Sequence, residues 1–125
     1  MQVLVDSSVC IEYFKSTNEN ILDLLIDEQL LCINEVILSE LQPHIIHKNE
    51  TQLSKLLEQI PKLEFKINWA KIRTNQLKAL KSGINGIGIA DLIIINDLIE
   101  SSAILYSLDK NLNSLAKELN IKTIL

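Results

Sequence analysis

The chain has 125 residues, 47% hydrophobic and only 4% aromatic, long enough to bury an aliphatic core of Ile and Leu without disulfide or zinc staples. Twelve Lys and Arg against sixteen Asp and Glu leave a net charge of −4, which argues against unspecific adhesion to nucleic acid, a binding mode driven by cationic side chains. No apolar run approaches the roughly 18 residues that a membrane span needs, and Asp6 interrupts the N-terminus before a signal-peptide hydrophobic stretch forms, so a cytoplasmic protein is expected.

Short, continuous apolar runs at Val3 to Val5, Leu30 to Ile33, Ala103 to Tyr106 and Ile121 to Ile124 have the pattern of parallel strands covered on both faces. Between them the periodicity predicts helices over about 8–15, 19–28, 35–46, 50–59, 68–81, 88–99 and 111–119. The alternation predicts an α/β sandwich around a mostly parallel sheet. The chain carries no repeat, low-complexity tract or Pro/Gly-rich linker, so a single domain over residues 1–125 is expected. Asn34 and Asp109 are placed to cap the helices that follow them. Pro43 is expected to kink or end its helix, because it lacks the amide hydrogen that a helix interior needs. Cys10 and Cys32 are too far apart for a CxxC pair and fit small buried residues in a reducing compartment, with a disulfide left open.

Four acids carry the chemistry. Asp6 follows the first strand and Asp109 follows the strand ending near Tyr106, and in open α/β sheets ligands collect at that carboxyl edge. Each also fits the plainer role of a helix N-cap. Asp91 lies in the run Gly88 to Ile99, apolar nearly all round and therefore buried. Ile94, Ile95 and Leu98 share its face, whereas Asn96, Asp97 and Glu100 are expected on the other side, Asp97 as a solvated or structural acid. The helix dipole favours an early-turn acid by only about 0.3–1 kcal/mol, less than the several kcal/mol that burying an unpaired carboxylate costs. Glu40 falls between Val36 and Ile37 on its helix and needs a partner, either a buried salt bridge or a shared ion. Carboxylates about 4 Å apart repel by roughly 4 kcal/mol at an effective dielectric of 20, so several of them stay ionised together only around a cation. An all-oxygen set suits Mg²⁺ or Mn²⁺ better than zinc. Such an ion activates water and stabilises charge on phosphate oxygens in phosphodiester hydrolysis.

These residues also resemble a known family. Val3-Leu4-Val5-Asp6-Ser7-Ser8-Val9-Cys10-Ile11-Glu12-Tyr13-Phe14 is similar to the opening of PIN-domain toxins, and Ile37-Leu38-Ser39-Glu40-Leu41 to their second motif. Gly86-Ile87-Gly88-Ile89-Ala90-Asp91-Leu92-Ile93-Ile94 resembles the third and is the most specific. Leu105-Tyr106-Ser107-Leu108-Asp109-Lys110-Asn111-Leu112 resembles the fourth. Order, spacing and length fit over the whole chain, and the nearest likeness is to VapC toxins of bacterial toxin–antitoxin pairs. The resemblance implies a PIN-like three-layer α/β/α sandwich with four to five short strands. It implies a Mg²⁺-dependent endoribonuclease, with Mn²⁺ as a possible substitute, that forms a homodimer and is silenced by a VapB-type antitoxin. Asp6, Glu40, Asp91 and Asp109 carry over as metal ligands or water-orienting groups, with Ser7 and Ser107 as hydrogen-bond donors behind them. After Asp91 this chain has Leu92 to Ile95 and then Asn96-Asp97, where the family more often has small residues.

Other readings have less support. A non-catalytic PIN-like module binding RNA or protein is the main rival, set against the presence of all four acids. A phospho-acceptor receiver domain requires an acceptor Asp at the end of a central strand, whereas Glu40 and Asp91 fall on helices. His44 and His47 lack an HExxH pattern, Gly83, Gly86 and Gly88 make no GxGxxG motif, and Ser7 and Ser8 sit in no nucleophile elbow. Lys71, Arg73, Lys78 and Lys81 are either a cationic rim or a solvated helix face. Trp69, Ile72, Gln76 and Leu77 form a stripe that fits core or dimer contact better than RNA stacking. No basic helix-turn-helix is present, so any promoter binding would come from a partner and not from this chain alone.

Overall fold

The computed structural model describes residues 1–15 and 26–125. Three parallel strands, β1 (Val3–Val5), β2 (Leu31–Cys32) and β3 (Ile104–Tyr106), make a sheet in the order β2-β1-β3. All three residues of the central strand β1 are buried, as a strand covered on both faces requires. The helices are α1 (Ser7–Lys15), α2 (Glu35–His47), α3 (Thr51–Gln59), α4 (Trp69–Lys81), α5 (Ile89–Ser101) and α6 (Lys110–Glu118). The helix expected at 19–28 lies largely outside the described residues.

The described sheet has three strands where four to five were expected. Ile121 to Ile124 reduces to one parallel bridge, Leu105 to Thr123, and Lys62 makes another with Ile33 on the opposite edge. Each edge segment is fastened by two backbone bonds: Ile33 N to Pro61 O and Leu63 N to Ile33 O on one side, Leu105 N to Lys122 O and Ile124 N to Leu105 O on the other. At the first edge Pro61 has no N–H with which to lengthen a ladder. At the second, Ile121 and Ile124 are only partly buried, so little apolar burial favours extending the strand.

The core is aliphatic. Leu4, Val5, Ile33, Ile37, Ile95, Leu105, Leu112 and Leu115 are fully buried, each side chain stabilising the fold by roughly 1.5–3 kcal/mol. Cys10 and Cys32 are buried free thiols, and burial pushes them up to about 12 and about 11 respectively, which leaves them inert at neutral pH. Asn34 caps α2 by accepting from Ile37 N, and Asp109 caps α6 by accepting from Asn111 N and Leu112 N. Pro43 lies inside α2 without ending it. Its missing N–H would have served the carbonyl of Ser39, an exposed residue. The burial of Leu41 and Ile45 flanking Pro43 offsets the remaining cost, about 3 kcal/mol for an interior proline.

α5 packs against both α2 and α4, and α1 against α2. Of the three polar residues expected on the far side of α5, Glu100 is exposed, whereas Asn96 and Asp97 are each only 4% exposed, which leaves Asp97 the structural rather than the solvated role. Asn34 Nδ2 donates to Asp97 Oδ2 at 2.9 Å and Asn96 Nδ2 to Asp97 Oδ1 at 3.2 Å. Ile89, Ile99 and Glu100 are exposed on α5, whereas Asn96 and Asp97 meet the starts of α2 and α4 rather than water.

Candidate active site

Strand register builds the site. Val5 pairs with Tyr106, so the next residue of each strand, Asp6 and Ser107, emerge side by side at the carboxyl edge. The Asp6 amide donates to Tyr106 O at 3.0 Å, which holds the two strand ends together. Asp6 is 6% exposed, and its Oδ2 accepts from Ser107 Oγ at 2.8 Å and Ser8 Oγ at 2.9 Å. Hydroxyl bonds to an ionised carboxylate are among the stronger neutral-to-charged contacts, and they compensate Asp6 for lost water.

Asp91 stands in the first turn of α5, half-buried, with Oδ2 accepting from Gly88 N at 3.2 Å. The loop before it turns at Gly86, whose φ of +75° favours glycine and whose Cα lies beside Asn111 in α6. That approach brings the start of α5 to the start of α6, where Asp109 sits. Burial raises the Asp91 carboxyl above its ordinary range; the Gly88 amide lowers it, and the charges of Asp109 and Asp6 raise it further. Glu40, on α2, is exposed as a residue rather than packed into the apolar face as expected. Burial of its carboxyl end is nonetheless the largest influence raising it, followed by the charges of Asp6 and Asp91, while a hydrogen bond from Ser7 lowers it.

Asp91 thus feels all three other acids: Asp6 and Asp109 act on it, and it acts on Glu40. No basic side chain is among the influences on Glu40 or Asp91. Among the described residues, however, no three His, Cys, Asp or Glu side chains close into a ready-made metal cage. Asp109 also spends Oδ1 on capping α6. The structure therefore gathers four carboxyls into one electrostatic neighbourhood without drawing them into contact. The donor chemistry fits a hard divalent cation, because mutually repelling oxygens with no cationic partner are what such an ion stabilises.

The two serines serve different acids. Ser107 supports Asp6, whereas Ser7 supports Glu40. Ser8, which the sequence offered only as a rejected nucleophile, is the second hydroxyl on Asp6. Its signal was present in the spacing: two residues past a strand-ending Asp, a first-turn hydroxyl reaches back toward that carboxylate. Lys71, Arg73, Lys78 and Lys81 are all exposed on α4. His44 and His47 are exposed too. Of the α4 stripe, Ile72 is buried, whereas Trp69 and Leu77 are about half exposed, at 52% and 51%.

No family model matches the sequence, and no curated protein matches it. Solved structures do. A chain of the DNA-bound VapBC of Salmonella typhimurium superposes with a TM-score of 0.74 at 16% identity, over 98% of this chain and 96% of that one. A chain of VapBC2 of Rickettsia felis, bound to a promoter DNA fragment, superposes with a TM-score of 0.72 at 20% identity, over 98% and 97%. The fold is PIN-like. The superpositions take in nearly all of this chain and of both others. Among the described residues no helix is long and apolar enough to cross a membrane.

Proposed function

We propose that this chain is a divalent-metal-dependent endoribonuclease, the toxin of a toxin–antitoxin pair, acting in the cytoplasm on RNA phosphodiesters. The observation that carries the reading is the position of Asp91, coupled to Asp6, Glu40 and Asp109 with no cation among the influences on it. Asp6, Asp91, Asp109 and Glu40 would hold Mg²⁺, with Mn²⁺ as a substitute. When bound, the ion supplies positive charge that keeps the acids ionised and polarises the water and phosphate of hydrolysis. The chain's own part is orientation: Ser8 and Ser107 fix Asp6, Ser7 supports Glu40, and the Gly88 amide holds Asp91. A VapB-type antitoxin is the partner that the likeness to two VapBC complexes supports, and a homodimer is part of the same reading.

Purified chain incubated with total cellular RNA is expected to cut it in Mg²⁺ or Mn²⁺ and not in EDTA, and Asp6→Asn is expected to cut in none of these. Cutting that persists in EDTA or in Asp6→Asn would remove the reading. One observation favours a second reading, a non-catalytic PIN-like module that binds RNA or protein: Asp109 Oδ1 is already committed to capping. A folded chain that leaves RNA intact and fails to bind Mg²⁺ would select it.

A further inference from the structure

We propose that Ser8 is a positioning residue for Asp6, acting with Ser107 to hold one carboxylate oxygen so that the other is presented to the divalent cation. The inference rests on the reading of the site as a metal centre and adds to it a residue outside the four acids.

The argument is one of proton accounting. A serine hydroxyl has a single proton to donate and lone pairs with which to accept. Ser8 Oγ accepts from Leu108 N at 3.0 Å, and Ser107 Oγ accepts from Asp109 N at 3.0 Å. Each hydroxyl oxygen is therefore approached by a backbone N–H, and its proton is left for the acceptor on the other side. For both, that acceptor is Asp6 Oδ2, at 2.9 and 2.8 Å. The two Oγ atoms stand 3.4 Å apart, side by side on the same oxygen, and Oδ1 takes neither bond.

A carboxylate fixed in this way through one oxygen cannot rotate without breaking two charge-assisted bonds. It offers the other oxygen in a constant direction, the condition for one-oxygen ligation of an ion. Ser8 also carries the restraint across the fold. It belongs to the β1–α1 junction, while its donor Leu108 belongs to the β3–α6 turn, 100 residues away in sequence. Asp6 and Asp109 are thus held in register through side chains as well as through the sheet. Partners behind a metal ligand are worth about 10–100-fold in metal affinity or activity.

The test is Mn²⁺ affinity, read by electron paramagnetic resonance on the purified chain, alongside thermal melts in EDTA and RNA cleavage. Ser8→Ala is expected to weaken Mn²⁺ binding by about 10–100-fold, and Ser8→Thr, which keeps the hydroxyl, to restore most of it. A merely structural serine would shift the EDTA melt and leave Mn²⁺ affinity unchanged. Should Ser8→Ala not fold, the nearly isosteric Ser8→Cys, a weak donor, is expected to lose affinity in the same direction. Parent-like Mn²⁺ binding in Ser8→Ala or Ser8→Cys, with binding lost in Asp6→Asn, would overturn the positioning role and leave the metal centre standing. A parent chain that binds no Mn²⁺ at all would overturn both.

Discussion

Asp91→Asn is expected to lower RNA cleavage by about 10³-fold and, in EDTA, to raise the melting temperature. The two signs have one cause. Asp91 is raised by burial and by the charges of Asp109 and Asp6, and itself raises Glu40, so its negative charge works against folding when no cation is present. Replacing the carboxylate by an amide removes that repulsion. The amide oxygen can still accept from Gly88 N, the bond that secures the start of α5. The gain is of order 1 kcal/mol, the usual size for relieving a functional site, or about 4 °C for a domain of this length. Cleavage falls because the metal's stabilisation of transition-state charge is worth several kcal/mol, and about 4 kcal/mol corresponds to 10³ in rate. Circular-dichroism melts and a gel assay on the same preparation measure both. An inactive variant that melts below the parent in EDTA would show that Asp91 is structural.

The same carboxyls set the pH dependence. Glu40, Asp91 and Asp97 all have folded-state affinities for protons above the ordinary carboxylate range. The folded chain therefore binds more protons than the unfolded chain in the window between the two sets of values, and stability rises as pH falls through it. This is opposite to the behaviour of salt-bridged acids, which lose stability on acidification. In EDTA the melting temperature is expected to climb as pH falls from neutral toward the ordinary carboxylate range, and less steeply in Asp91→Asn. A melt that falls monotonically over that range would contradict the assigned direction.

Why the sequence revealed some of this and not the rest follows from the range of each interaction. The strands at Val3 to Val5 and Ile104 to Tyr106, the caps at Asn34 and Asp109, and the buried thiols were legible because each rests on local pattern or burial of an apolar run. The location of Asp6 and Asp109 after their strands was legible for the same reason. Ser8 was assigned no role because its partners are Asp6, two residues before it, and Leu108, at the far end of the chain. The edge strands were overread because hydrophobicity at Ile121 and Ile124 says nothing about how much partner surface waits to cover them. The choice between a solvated and a structural Asp97 stayed open because helical periodicity does not tell water from the polar start of a neighbouring helix.

Asp97 carries the largest expected effect on stability. Its carboxylate accepts from Asn34 and Asn96, and each asparagine has a second duty. Asn34 Oδ1 caps α2 through Ile37 N, and Asn96 Oδ1 accepts from the amide of Asn68, the residue that caps α4. One buried acid therefore ties α5 to the starts of both neighbouring helices, and α2 is the helix that bears Glu40. Truncation in Asp97→Ala removes two bonds to a charged group, worth about 1.5–3 kcal/mol each, and leaves buried amide donors unpaired. Relief from holding a carboxylate away from water returns part of this. The net loss is expected to be about 3 kcal/mol, or about 10 °C in melting temperature. Asp97→Asn should fall between the parent and Asp97→Ala: it carries no buried charge, but an amide facing two amide donors can accept from only one of them with its oxygen. Urea unfolding of the three chains measures the order directly. A loss below about 1 kcal/mol in Asp97→Ala, the range of ordinary surface substitutions, would mean that water replaces the carboxylate and that the helices are held by apolar packing alone.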